Sequence, residues 1–178
     1  QDGVRPVGNS VERGGLIDID RVGVDEAEDG DDTFREFVPA LGANEVRVEK
    51  IEIINDGANG EPGVLRVTGR PTTITLAPQA VFLSQDIEGV VFTDYVLAAD
   101  SDVITITTTL INESDNAVFG GLGADFLAFG GATPPMNPEH GFGDVPLFGK
   151  ISFLAGSRGK RSNIAYVCDH KDVTIPLV

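Results

Sequence analysis

Val103-Ile104-Thr105-Ile106-Thr107-Thr108-Thr109-Leu110-Ile111 alternates apolar and hydroxyl side chains along an unbroken run. In an extended chain Ile104, Ile106 and Leu110 fall on one side, and Thr105, Thr107 and Thr109 on the other. β-Branched residues dominate the run, as they do on a pleated, half-buried surface. A row of threonines suits the outer face of an antiparallel sheet, whose other face covers a core. Asn112-Glu113-Ser114-Asp115-Asn116 then ends the strand with turn-forming residues. Asn112-Glu113-Ser114 also fits the N-glycosylation acceptor pattern, and is read here as hairpin chemistry.

Working outward, similar runs recur in both directions. Upstream lie strands at Val90 to Leu97, Ala80 to Ser84, Thr72 to Leu76 and Val64 to Thr68. Asn55-Asp56-Gly57-Ala58-Asn59-Gly60 holds two turn signals, and predicts a hairpin joining Val46–Ile54 to Val64–Thr68. Within Val46–Ile54, Val46 and Val48 are expected to share one face and Ile51 and Ile53 the other. The phase slip at Glu49-Lys50 predicts a β-bulge. Leu16 to Val22 alternates as a further strand, while Phe34 to Leu41 leaves room for one short helical turn limited by Pro39. Downstream, strands are expected at Ala124–Phe129, Ile151–Leu154 and Asn163–Cys168, with a long Gly/Pro-rich loop from Gly130 to Lys150. No crossover helices intervene. The expected fold is all-β, an antiparallel two-sheet β-sandwich spanning 15–178, behind an arm or linker at 1–14.

The formal charge is −15, from 28 acidic against 13 basic residues. Such a surface repels phosphate backbones and anionic lipid, which argues against nucleic acid as a partner. It attracts cations, calcium above all, or a basic protein. The 41% hydrophobic content supports a conventional core, and no run is long and apolar enough to insert in a membrane. Cys168 is the sole cysteine, so no internal disulfide forms; within its apolar run it reads as a buried, inert thiol. The chain starts at Gln1 and ends in the strand-like Val173-Thr174-Ile175-Pro176-Leu177-Val178, as a piece of a longer, processed protein would.

Site-like chemistry gathers in two segments. Asp25-Glu26-Ala27-Glu28-Asp29-Gly30-Asp31-Asp32-Thr33-Phe34-Arg35-Glu36 partly matches a calcium loop, with Asp25, Asp29, Asp31 and Glu36 as ligands and Gly30 at the sharp turn. Ala27 and Asp32 depart from that pattern and no flanking helices are evident, so a solvated acidic loop is the competing reading. The second segment is the long loop, where His140 stands between Glu139 and Asp144, and Phe129, Phe142 and Phe148 offer rings for a ligand contact. With no Trp and two Tyr, Tyr95 and Tyr166, the chain is poor in the flat platforms that sugars stack on. Arg158-Gly159-Lys160-Arg161 is its one basic cluster. No Gly-x-Ser-x-Gly, phosphate-binding loop, Cys-x-x-Cys or dinucleotide fingerprint appears.

Val64-Leu65-Arg66-Val67-Thr68-Gly69-Arg70, then Val90 to Leu97, then Val103 to Asn112, then Gly123-Ala124-Asp125-Phe126 form an ordered series. This series resembles the β-supersandwich of galactose-mutarotase-like domains in secreted multidomain bacterial proteins, over roughly residues 45–170. The resemblance implies a supersandwich, a secreted or cell-surface setting, and carbohydrate-active neighbours. Mutarotases use two histidines and a glutamate around a sugar pocket; His140 and His170 sit in no matching motif, so no catalytic residue carries over. The expected role is a non-catalytic structural or interaction module, meeting another domain or copies of itself. A carbohydrate-binding or carbohydrate-processing module, and a calcium-stabilised adhesive domain, are the alternatives.

Overall fold

A computed structural model describes residues 14–16, 34–41, 44–73, 85–115, 125–129, 136–137, 141–142, 153–158 and 162–167. The fold is all-β. Its strands are β1 (Phe34–Val38), β2 (Ala40–Leu41), β3 (Asn44–Asp56), β4 (Gly63–Thr73), β5 (Gly89–Leu97), β6 (Ile104–Asn112), β7 (Phe126–Phe129), β8 (Met136–Asn137), β9 (Gly141–Phe142), β10 (Phe153–Arg158) and β11 (Ser162–Val167). The chain divides into two compact units, one of Gln1–Gly15 with Val38–Phe126, the other of Leu16–Phe37 with Leu127–Val178. Among the described residues no helix is long and apolar enough to cross a membrane.

The first unit is built on a five-stranded antiparallel sheet in the order β2-β3-β4-β5-β6. Its neighbours in space are neighbours in sequence. The β3–β4 turn shows why the sequence folds here. Gly57 takes a left-handed backbone (φ 76°), a conformation that costs glycine nothing. The Oδ1 atoms of Asn55 and Asp56 accept from the amides of Gly57 (3.0 Å) and Ala58 (2.9 Å). At the far end of β6, Asn112 Oδ1 accepts from the Ser114 amide (3.1 Å) and hydroxyl (2.9 Å), so this asparagine works as turn chemistry.

The expected bulge is present, and it changes which side chains share a face. Val48 pairs with Gly69 but Lys50 pairs with Thr68, leaving Glu49 as the extra residue. Ile51 then pairs with Val67 and Ile53 with Leu65, which are on the Gly69 side of β4. Ile51 and Ile53 therefore join Val46 and Val48, which corrects the expectation that they share the opposite face: the extra residue shifts the alternation by one. A second slip leaves Ile54 as an extra residue before Asn55.

One face of the sheet carries the core. Leu41, Val46 and Val91 form a buried cluster, with the half-buried Leu110 against it. Thr108 is the threonine that breaks the outward row: it faces inward, opposite Thr93, and their hydroxyls lie 3.2 Å apart. Thr93 is thus buried with a partner, as a core hydroxyl must be. Gly14 packs on this same face. Any Cβ there would meet Val67 Cγ1 at 2.5 Å, and the backbone is left-handed (φ 70°). Tyr95 closes the contact by donating its hydroxyl to the Gly14 carbonyl at 2.5 Å.

Three further expectations are corrected. Phe34 to Leu41 forms strands β1 and β2 and no helical turn, because Pro39 pushes the preceding Val38 into extended backbone. Thr72 begins no new strand but continues β4 through Pro71. The β4–β5 pairing has ended at Gly69, so Pro71 has β3 on one side and is not asked for a donor on the other. Finally, Gly130 to Lys150 is not all loop, since β8 and β9 pair within it. Expected strands at 17–22 and 80–84, and Cys168, lie outside the described residues.

The second unit holds a four-stranded sheet, β11-β10-β8-β9, and the pairing of β1 with β7. Phe37 is its anchor. It exchanges two 2.9 Å backbone hydrogen bonds with Leu16, and its ring lies 5.7 Å from that of Tyr166.

Asn44 supplies the fold's most exposed dependence on a single side chain. It is buried at the start of β3, where its amide donates to the Gln85 carbonyl (2.7 Å) and accepts from the Gln85 amide (3.0 Å). The side chain thus imitates a paired strand and fixes the approach to β5. Asn44→Ala is expected to cost about 1–3 kcal/mol, read as a lower urea midpoint, while the exposed Thr105→Ala shifts it by less than about 0.5 kcal/mol.

Candidate functional site

The two faces of the five-stranded sheet offer different chemistry. On the outer face, register places Glu52, Arg66, Asp94 and Thr107 in one row across four strands. Arg66 Nε and Nη2 each donate to a carboxylate oxygen of Asp94 at 2.6 Å, a bidentate fork. The guanidinium also lies over the Phe92 ring, 5.4 Å from its centroid. The hydrogen bond to Arg66 holds the Asp94 carboxyl below the usual carboxylate range, against an opposing effect of burial. Arg66 is raised in turn, first by its hydrogen bond to Asp94. Lys50 pairs with Glu52 at 2.6 Å, and Arg70 reaches Glu49 and Glu113, each at 3.2 Å.

This face is closed on itself. Arg66 and Asp94 are locked to one another, so neither is poised as an acid, base or nucleophile. Tyr95, on the other face, is likewise no acid. Burial first, and the charge of Asp125 second, push its phenol well above the ordinary tyrosine range. Among the described residues, no three His, Cys, Asp or Glu side chains gather as a metal site requires.

The inner face is different at its hairpin end. Val46, Val67, Val91 and Tyr95 are buried, but the apolar surface continues beyond them into the open. Ile51 is 51% exposed, Ile53 72% and Leu97 45%, with the half-buried Leu65, Ile104 and Ile106 beside them in register. Val103, in the loop that follows, is 66% exposed. Single exposed aliphatics are ordinary, whereas an adjoining group on one face marks a contact surface. This open apolar end is the candidate site.

Of the residues singled out from sequence, Glu36 lies in β1, Phe129 at the end of β7 and Phe142 in β9. Asp25, Asp29, Asp31, His140, Asp144 and Phe148 lie outside the described residues. Glu36 Oε1 is buried and has no hydrogen-bond partner. The apolar end escaped the sequence reading because unbroken alternation scatters Ile51 and Ile53 away from Val46 and Val48. The slip at Glu49-Lys50 was the signal that reunites them. No family model, curated protein or solved structure matches this chain.

The depressed Asp94 carboxyl has a consequence for acid stability. Its folded-state pKa lies below the unfolded value, so the ion pair stabilises fully above the unfolded value and is lost as pH falls through the folded one. Asp94→Asn is expected to lower the thermal midpoint at neutral pH. The gap to wild type should narrow below the ordinary aspartate range, about pH 4, when melts are run at stepped pH.

Proposed function

We propose that this chain is a non-catalytic structural or interaction module of a secreted or cell-surface bacterial protein. It meets another protein surface through the open apolar end of its five-stranded sheet. The observation that carries this reading is the adjoining exposure of Ile51, Ile53 and Leu97 beside a salt-bridged outer face with no free reactive group among its paired charges. A sandwich of the galactose-mutarotase-like kind, with two sheets back to back, is the architecture that goes with it. A carbohydrate module stands behind it, since sugar recognition leans on exposed rings and the tyrosines here are engaged: Tyr95 with Gly14, Tyr166 beside Phe37.

Two measurements test the reading. A dye that fluoresces on apolar surface should bind the native protein, and Ile53→Lys with Leu97→Lys should reduce that binding without lowering the urea midpoint. Unchanged dye binding would remove the open end as a contact surface. A glycan array in calcium buffer should be silent with folded protein. Specific binding that disappears on replacing residues 130–150 would put the carbohydrate reading first.

Calcium is a second reading, favoured by the buried, unpartnered Glu36 Oε1. A buried carboxylate oxygen without a donor is costly, and a hard cation is one remedy. Asp25, Asp29 and Asp31 are the carboxylates nearest upstream with calcium-loop spacing. Calcium should then raise the thermal midpoint over that in chelator, and Glu36→Gln should abolish the rise. Equal midpoints would dismiss it.

A further inference from the structure

The two edges of the five-stranded sheet are built to opposite specifications. At one edge, β2 is two residues long and covers only Asn44 and Glu45 of β3. The rest of β3 carries Arg47, Glu49, Lys50 and Glu52 and two bulges. Charges, bulges and a short terminal strand are the devices by which sheets avoid pairing edge to edge. The other edge, β6, has none of them. Its nine residues, Ile104–Asn112, contain no charge, proline or glycine. Its register with β5 runs unbroken from Ile104 to Asn112, so no bulge turns the edge away. Among the described residues nothing pairs with its other side.

The sequence of β6 is close to self-complementary in the antiparallel sense. With Thr107 opposite Thr107 of a second copy, Thr105 meets Thr109, Ile106 meets Thr108 and Ile104 meets Leu110. Every pair matches like face with like face. Thr105, Thr107 and Thr109 extend the exposed hydroxyl row, while Ile104, Ile106 and Leu110 extend the apolar face. A one-residue slip would oppose the two faces. The acids at the two ends of the strand are also accommodated, for Asp102 comes opposite Asn112 and Glu113 opposite Ser101. Chains of net charge −15 would otherwise repel most where acids coincide.

We propose that β6 pairs antiparallel with β6 of a second copy about a two-fold axis at Thr107, joining the two five-stranded sheets and their apolar faces, with the two open ends at opposite ends of the joined sheet. The assignment rests on the reading of the chain as an interaction module, and names its partner as the chain itself. The contact is isologous and closes at two copies. Salt strengthens it by screening the like-charged bodies.

Sedimentation across a concentration series tests it, with the wild-type chain forming dimers more readily at high salt. Thr105→Lys with Thr109→Lys sets ammonium groups opposite one another in the paired register, and should weaken association by roughly tenfold or more. Both positions are exposed, so the thermal midpoint of the dilute protein should hold. Register is read independently by oxidative cross-linking in a Cys168→Ser background. Thr107→Cys should cross-link to itself, and Thr105→Cys should cross-link to Thr109→Cys in a mixture but not to itself. A chain that stays monomeric at every soluble concentration overturns the proposal. So does a dimer that tolerates both lysines, or self-cross-linking of Thr105→Cys. A dimer lost instead with Ile53→Lys and Leu97→Lys would overturn the β6 pairing while leaving the interaction reading in place.

Discussion

The constraint on which the first unit depends is the two-residue period of a strand, and the one place where the chain breaks it. Glu49 occupies a position with no opposite number on β4, and that extra residue returns Ile51 and Ile53 to the side of Val46 and Val48. Without it, half of β3 would turn its isoleucines toward Arg66 and Asp94, and its charges toward Val67 and Tyr95. Burial of unpaired charge costs far more than the local disorder of a bulge. The bulge is therefore what lets one face be apolar from Leu41 to Leu97 and the other be laced with ion pairs.

Three polar side chains buried on that face each have a partner. Thr93 finds Thr108, Asn44 finds the main chain of Gln85, and Tyr95 finds the carbonyl of Gly14. These three contacts also tie together parts of the chain far apart in sequence. The Tyr95 bond joins residues 81 positions apart and the Asn44 bonds residues 41 apart. They hold flanking segments against a sheet whose own ladder joins strands adjacent in sequence. The open end lies where these ties stop.

Much of the sheet was legible in the residues alone. The alternation of Val103–Ile111, the Asp-Gly and Asn-Gly turn and the slip at Glu49-Lys50 each gave a local feature that the structure contains, because each depends on adjacent residues. What was not legible depended on register. Val64–Thr68 and Thr72 read as separate strands until Pro71 is seen paired with Val46 past the point where the β4–β5 pairing ends, and Phe34–Leu41 reads as a turn until Phe37 is seen bonded to Leu16. The Arg66–Asp94 fork was equally hidden: nothing in either residue's surroundings in sequence brings the two together. The open apolar end needed both the slip and the pairing before Ile53, Leu65 and Tyr95 could be recognised as one row.

The absence of tryptophan leaves optical work on this chain to two tyrosines, and they fall one in each compact unit. Tyr95 is buried with its hydroxyl bound to a carbonyl, whereas Tyr166 is half-buried beside the Phe37 ring. Two chromophores in such different surroundings differ in emission yield and in access to quenchers. The protein thus carries a natural two-channel label, by which the opening of one unit can be followed in the presence of the other without attaching anything to either.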